Sequence, residues 1–199
     1  MIPPPPSSGF LADIERILIP EARIQDRVEE VAREVARDFA GRPIAVVGIL
    51  TGSCLFLADL LRRVPLPLTV SCISVASYHG GTASSGMVSL RQTSLPDVAG
   101  RDVLLVDDIL DSGRTLAAVR DLLLGPGGAR SVRSCVLLRK KVPRAVPVEA
   151  DYVCFDIPDE FVVGYGLDYR EHYRNLPFVG TLTPEAIQRG PLHAELETG

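Results

Sequence analysis

Nine consecutive positions, Asp107-Asp108-Ile109-Leu110-Asp111-Ser112-Gly113-Arg114-Thr115, hold three carboxylates, two hydroxyls, a glycine and an arginine. They follow the apolar run Val103–Val106, which is too short and too uniform for an amphipathic helix and fits a strand buried on both faces. Ionised carboxylates only accept hydrogen bonds, so Asp107 and Asp108 suit vicinal hydroxyls or a hydrated Mg²⁺. Adjacent residues of a strand point to opposite sides; a twist at the strand end would turn both toward one ligand. The Ser112–Thr115 turn has the opposite preference. Its backbone N–H groups lie at a helix start, where they bind phosphate, and Arg114 adds a donor. Acceptors for sugar hydroxyls beside donors for a phosphate match a ribose 5-phosphate group. Each residue alone would also suit a capped helix. Three carboxylates this close repel one another unless a ligand or metal offsets them.

Three further segments carry chemistry. Gly48-Ile49-Leu50-Thr51-Gly52-Ser53 reads as a strand end, a glycine turn and a helix start, again an anion site by backbone logic. Leu138-Arg139-Lys140-Lys141-Val142-Pro143-Arg144 places a basic cluster at a strand end. The third runs from Pro158 to Pro177 as PDEFVVGYGLDYREHYRNLP, mixing acidic, aromatic and glycine positions. Within it Phe161, Val163, Tyr165 and Leu167 alternate as ordinary strand residues do.

These segments need a frame. Ile24, Val28, Val31, Val35 and Phe39 recur at helical spacing after Pro20, and Gly41 and Pro43 end that helix. Ile44–Leu50, Thr69–Ala76, the Val103 run, Val132–Leu138 and Tyr152–Phe155 read as strands. Helices are expected at Cys54–Arg63 and at Ser112–Leu124. Residues 10–19 read as a short apolar-acidic lead. Strands alternating with helices predict a parallel sheet with right-handed crossovers. Residues 77–100 are small, polar and glycine-rich, and are expected to form a mobile lid. The remaining boundaries are a disordered lead over 1–9, one domain over 10–188 that contains a hood segment at 156–188, and a frayed tail over 189–199.

Together these motifs resemble the type I phosphoribosyltransferases, and among them the hypoxanthine-guanine phosphoribosyltransferases of purine salvage. The resemblance runs from about residue 14 to 185. It implies an α/β fold with a central, mostly parallel sheet flanked by helices, a small hood and a flexible lid. It implies transfer of the 5-phosphoribosyl group from phosphoribosyl diphosphate (PRPP) to N9 of a 6-oxopurine, with Mg²⁺. By the same resemblance Asp107 and Asp108 hold the ribose hydroxyls, directly or through the metal. Ser112, Gly113, Arg114 and Thr115 cradle the 5′-phosphate, and Asp111 sits by purine N7 as proton acceptor. Thr51, Gly52, Ser53 and Arg174 take the diphosphate. Relatives often carry a basic residue where Thr51 stands, so backbone N–H groups are expected to do most of that binding here; they often have a cis peptide in this loop as well. Lys140 donates to the purine 6-oxygen, Phe161 stacks on the base, and Val162 offers its backbone to the purine edge. Asp168 lies near the 2-position or holds Mg²⁺ through water. Ser77 and Tyr78 belong to the lid that closes during reaction.

Composition bounds the alternatives. The chain has 199 residues, 46% hydrophobic and 23% charged, with net charge −4, ordinary for a globular protein. That charge gives no basic footprint for nucleic acid, and no apolar run is long enough to span a bilayer. Cys54, Cys72, Cys135 and Cys154 are scattered without metal-ligand spacing and read as reduced core residues of a cytoplasmic protein. The substrates expected as partners are PRPP and a purine base, with no nucleic acid and no membrane. The family resemblance implies a homodimer or homotetramer. A PRPP-fold regulator that binds RNA shares the Asp107–Thr115 run; the acidic charge, Lys140 and Phe161 count against it. A phosphoacceptor receiver domain would carry its aspartate pair near the start of the chain.

Overall fold

The computed structural model describes residues 11–77, 88–90 and 95–190. They divide into a larger unit, Gln25–Asp159, and a smaller one drawn from both ends of the chain, up to Ile24 and from Glu160 onward.

The larger unit is built on six strands in the order β4-β3-β2-β5-β6-β7. These are β2 (Ile44–Leu50), β3 (Leu68–Ser77), β4 (Val88–Leu90), β5 (Asp102–Leu110), β6 (Ser131–Lys140) and β7 (Tyr152–Ile157). All neighbouring pairs are parallel except β3 with β4. Helices α1 (Glu21–Asp38), α2 (Cys54–Leu61) and α3 (Arg114–Leu124) complete the α/β arrangement that the alternation of elements predicts.

The apolar runs are uniform because both sheet faces are covered. Val47, Val103 and Leu105 pack in one cluster with Leu116, Val119 and Leu123 of α3. Along α1, Val28, Val31 and Val35 are fully buried at helical spacing. Asp102, at the start of β5, is buried and binds Arg130, Arg42 and Ser131. It is a structural carboxylate at the opposite end of the strand from Asp108.

Two boundaries differ from expectation in ways that matter for the chemistry. β5 does not stop at the carboxylates but continues to Leu110. Its ladder with β2 ends at the Gly48–Val106 pair, whereas its ladder with β6 reaches Leu110–Arg139. Asp107 to Leu110 is therefore an extended segment open on its β2 side. Helix α3 begins at Arg114, two residues later than its composition suggests, because Gly113 takes a left-handed φ of 80° as the preceding cap.

In the smaller unit, β1 (Ile14–Ile19) pairs antiparallel with β8 (Val179–Leu182), and α4 (Pro184–Arg189) follows. The stretch read as a lead over 10–19 is thus a 3-10 turn, Leu11–Asp13, and a strand. Its partner lies at least 160 residues away, and Ile17 is exposed, so neither local periodicity nor burial marks it. Val163, Tyr173, Leu176, Leu182 and Ala186 form its core.

Candidate active site

In a parallel sheet all carboxyl ends lie on one edge, where ligands of open α/β folds bind. The larger unit places three of the motifs there: the turn after β2, the end of β5 with the turn into α3, and the last residue of β6.

Asp107 is 5% exposed. Its Oδ1 accepts the N–H of Asp108 at 3.0 Å, and Asp108 Oδ1 accepts the N–H of Ile109 at 2.7 Å. Two successive backbone donors thus turn to carboxylates where the β2 ladder has ended. Burial, and then the adjacent Asp108 carboxylate, push Asp107 well above the usual carboxylate range. Asp108 is only half-buried and lies against Gly52. Asp111 and Ser112 are exposed at the turn.

Gly113 must be glycine on two grounds. Its φ is left-handed, and a Cβ would stand 2.6 Å from the Val146 carbonyl oxygen and 2.8 Å from Val148 Cγ1. The loop that crowds it is tied down by the Val146 N–H, which donates to the Ser112 carbonyl at 3.1 Å. The first turn of α3 presents N–H groups that have no intrahelical acceptor, with Arg114 exposed and Thr115 half-buried beside them.

The second turn follows β2 and leads into α2. The Leu50–Thr51 peptide bond is cis. Ser53 is fully buried, and its hydroxyl donates to the Ile49 carbonyl at 2.5 Å. Thr51 is exposed, while Gly52 is buried. The Thr51 carbonyl accepts the Cys54 N–H, which closes the turn.

Lys140 ends β6. Its Nζ lies 3.0 Å from Asp159 Oδ1 and 3.4 Å from Asp111 Oδ2. Burial lowers its pKa, but the two carboxylates outweigh burial and the net shift is upward; the side chain is a fixed ammonium. The neighbouring Arg139 turns to Asp156 and Glu149, so Lys140 is the member of the basic cluster that meets Asp111. Asp159 is a partner that the sequence did not single out. Its contact follows from strand register, which no local pattern displays.

The smaller unit holds the remaining residues. Phe161 is 54% exposed, and its edge contact is Tyr169, with ring centroids 5.8 Å apart. Val163 exchanges both backbone bonds with Gly180, which turns the N–H and C=O of Val162 to the other edge. Arg174 donates to the Gly166 carbonyl at 2.8 Å and pairs with Asp168 at 2.9 Å and Glu171 at 2.8 Å. The second oxygen of Asp168 accepts the Glu171 N–H at 2.9 Å. Of the lid pair, Ser77 ends β3, opposite Val88 in the antiparallel β3–β4 pair; Tyr78 lies outside the described residues.

Among the described residues no group of three or more histidine, cysteine, aspartate or glutamate side chains could enclose a metal ion, and no helix is long and apolar enough to cross a membrane.

Residues 18–170 match the phosphoribosyl transferase domain family. The chain is 44% identical over 173 residues to the hypoxanthine-guanine phosphoribosyltransferase of Streptococcus pneumoniae strain R6, covering 87% of this chain and 96% of that one. A crystal structure of a hypoxanthine phosphoribosyltransferase from Staphylococcus aureus superposes with a TM-score of 0.85 at 42% identity, over 92% of this chain and 98% of that chain. A hypoxanthine-guanine phosphoribosyltransferase from Bacillus anthracis gives 0.80 at 40% identity, over 85% and 99%. The chain belongs to the phosphoribosyl transferase family, in its hypoxanthine-guanine branch.

Proposed function

We propose that the chain transfers the 5-phosphoribosyl group of PRPP to N9 of hypoxanthine or guanine, giving IMP or GMP and diphosphate. The observation that carries this reading is the Lys140–Asp111 pair: a fixed cation and a carboxylate 3.4 Å apart. Purine O6 and N7 are neighbours on one edge. An ammonium has only donors and matches a 6-oxygen; a carboxylate accepts and matches an N7 proton. A 6-amino purine would set its donors against the ammonium.

In this reading the start of α3 binds the 5′-phosphate through Ser112, Gly113, Arg114 and Thr115. Asp107 and Asp108 take the ribose hydroxyls, and the Thr51–Ser53 turn takes the diphosphate. As the C1′–diphosphate bond breaks and N9 bonds to C1′, Asp111 accepts the N7 proton and Lys140 stabilises the charge that moves onto O6. In the smaller unit the same reading gives Phe161 a stacking role on the base. Val162 offers backbone contacts to the purine edge, and Arg174 contacts the diphosphate. Ser77 and Tyr78 belong to the lid, whose closure would exclude water from a cationic transition state.

The residues present fit Mg²⁺. Asp107 and Asp108 offer only hard oxygen donors, and their mutual repulsion is of the kind a cation relieves. Asp168 retains free lone pairs for a water-mediated contact. When bound, Mg²⁺ offsets the diphosphate charge and improves it as a leaving group. Cys54, Cys135 and Cys154 form no disulfide, which supports a reducing, cytoplasmic setting, and the family supports a homodimer or homotetramer.

Equilibrium binding tests the base reading without turnover. Titration calorimetry should give tighter binding of IMP than AMP to the wild type, with the difference largely lost in Lys140→Gln. Equal binding of IMP and AMP to the wild type would refute it.

A further inference from the structure

The segment 164–176 of the smaller unit has unusual backbone. Tyr165, Arg170, Glu171 and Tyr173 have φ of 50°, 50°, 67° and 70°, and are the only non-glycine residues with positive φ among those described. Such residues cost about 1–2 kcal/mol each unless their surroundings impose the conformation. Tyr173 directly precedes Arg174, and the anchor of this turn lies at the other end of the chain.

Asp13, in the turn that leads into β1, is 4% exposed, and Tyr173 is 2% exposed. The Tyr173 hydroxyl donates to Asp13 Oδ2 at 2.8 Å, and Arg189, the last residue of α4, donates to Asp13 Oδ1 at 2.5 Å. The Asp13 carbonyl accepts the Thr183 N–H at 2.9 Å. A single residue therefore ties the start of β1 to the Tyr173 turn, to the cap of α4 and to its end. Burial, followed by the bond to Asp13, pushes the Tyr173 hydroxyl up to about 12, so it remains a donor at neutral pH.

The far side of the same turn is Arg174. Its carbonyl accepts the Gly166 N–H at 2.9 Å, and its guanidinium donates to the Gly166 carbonyl at 2.8 Å. Arg174 is thus held as a rigid donor whose backbone position is set one residue earlier, at Tyr173.

We infer that Asp13 and Tyr173 are positioning residues for phosphoribosyl transfer, acting through Arg174 to fix its guanidinium for the diphosphate of PRPP. The inference rests on the reading of Arg174 as a diphosphate contact. It assigns to the N-terminal turn a part in substrate affinity, although Asp13 itself touches no reacting atom.

Steady-state kinetics on Tyr173→Phe, Arg174→Gln and the double variant test it, with Asp13→Asn as a second route should Tyr173→Phe lose its fold. Tyr173→Phe is expected to raise the KM for PRPP about tenfold, as loss of one charge-assisted hydrogen bond does, and to leave the KM for the purine unchanged. The double variant is expected to be no worse than Arg174→Gln alone, because both changes remove one interaction. A merely structural role would lower thermal stability without splitting the two KM values. An unchanged PRPP KM in Tyr173→Phe, or additive losses in the double variant, overturns the inference while the Arg174 reading stands. An unchanged PRPP KM in Arg174→Gln removes the Arg174 reading itself, and the inference with it.

Discussion

Asp108 packs against the α-carbon of Gly52: a Cβ built there would lie 1.6 Å from Asp108 Oδ2 and 2.6 Å from its Cγ. The turn assigned to the diphosphate, which follows β2, and the carboxylate assigned to the ribose, near the end of the neighbouring β5, are therefore in direct contact. The contact is possible because the β2–β5 ladder ends at Gly48–Val106, short of both residues. Gly52→Ala must displace Asp108 or the turn. It is expected to reduce kcat/KM for PRPP by roughly 100-fold or more, in line with misplaced reacting groups, while the purine dissociation constant changes little. Kinetics with each substrate varied in turn check this.

Asp111 is exposed at the turn, with Lys140 as its neighbour. Its replacement should not disturb folding. Asp111→Asn keeps the shape and removes the base, so kcat is expected to fall by roughly 10²–10⁴ with the PRPP KM little changed. Unchanged turnover would take Asp111 out of the chemistry.

Lys140→Met tests recognition of the 6-oxygen. Loss of one charged hydrogen bond, about 1.5–3 kcal/mol, corresponds to a roughly 10- to 150-fold fall in kcat/KM for hypoxanthine. The PRPP KM is expected to stay near the wild-type value, and competition assays with adenine should show weakened discrimination.

Stability depends on a different carboxylate. Arg130, first through its hydrogen bonds, and then Ser131 hold Asp102 well below the usual carboxylate range. A group with a depressed folded pKa stabilises the fold fully above its unfolded value, near 4. That contribution is lost as pH falls toward the folded value. Arg130 and Arg42 are largely exposed, so solvent screens the pair. Asp102→Asn is expected to cost about 1–3 kcal/mol at pH 7. The gap between wild type and variant should narrow from pH 5 to pH 3 in urea unfolding.

The parts of this molecule that were legible in its sequence are those set by local chemistry. The buried strands announce themselves by uniform apolar runs, α1 by its spacing, and the segment from Asp107 to Thr115 by residue types that repel one another without a ligand. What was not legible depends on register or distance. β1 pairs with a strand near the other end of the chain. Asp159 reaches Lys140 only because β6 and β7 align Lys140 with Ile157. The closeness of Gly52 to Asp108, and of Asp13 to Tyr173, comes from packing between segments far apart in sequence. Composition places the start of α3 at about Ser112, but the left-handed Gly113 caps the helix and moves its first residue to Arg114.

A turnover panel decides whether the chain carries out 6-oxopurine phosphoribosyl transfer. Purified protein would be given PRPP and Mg²⁺ with hypoxanthine, guanine, xanthine, adenine, uracil or orotate in turn, and nucleotide formation followed. IMP is expected from hypoxanthine or GMP from guanine, abolished by EDTA, with no product from adenine or the pyrimidines. Turnover only with adenine or a pyrimidine, or binding of PRPP with no turnover of any base, would contradict it.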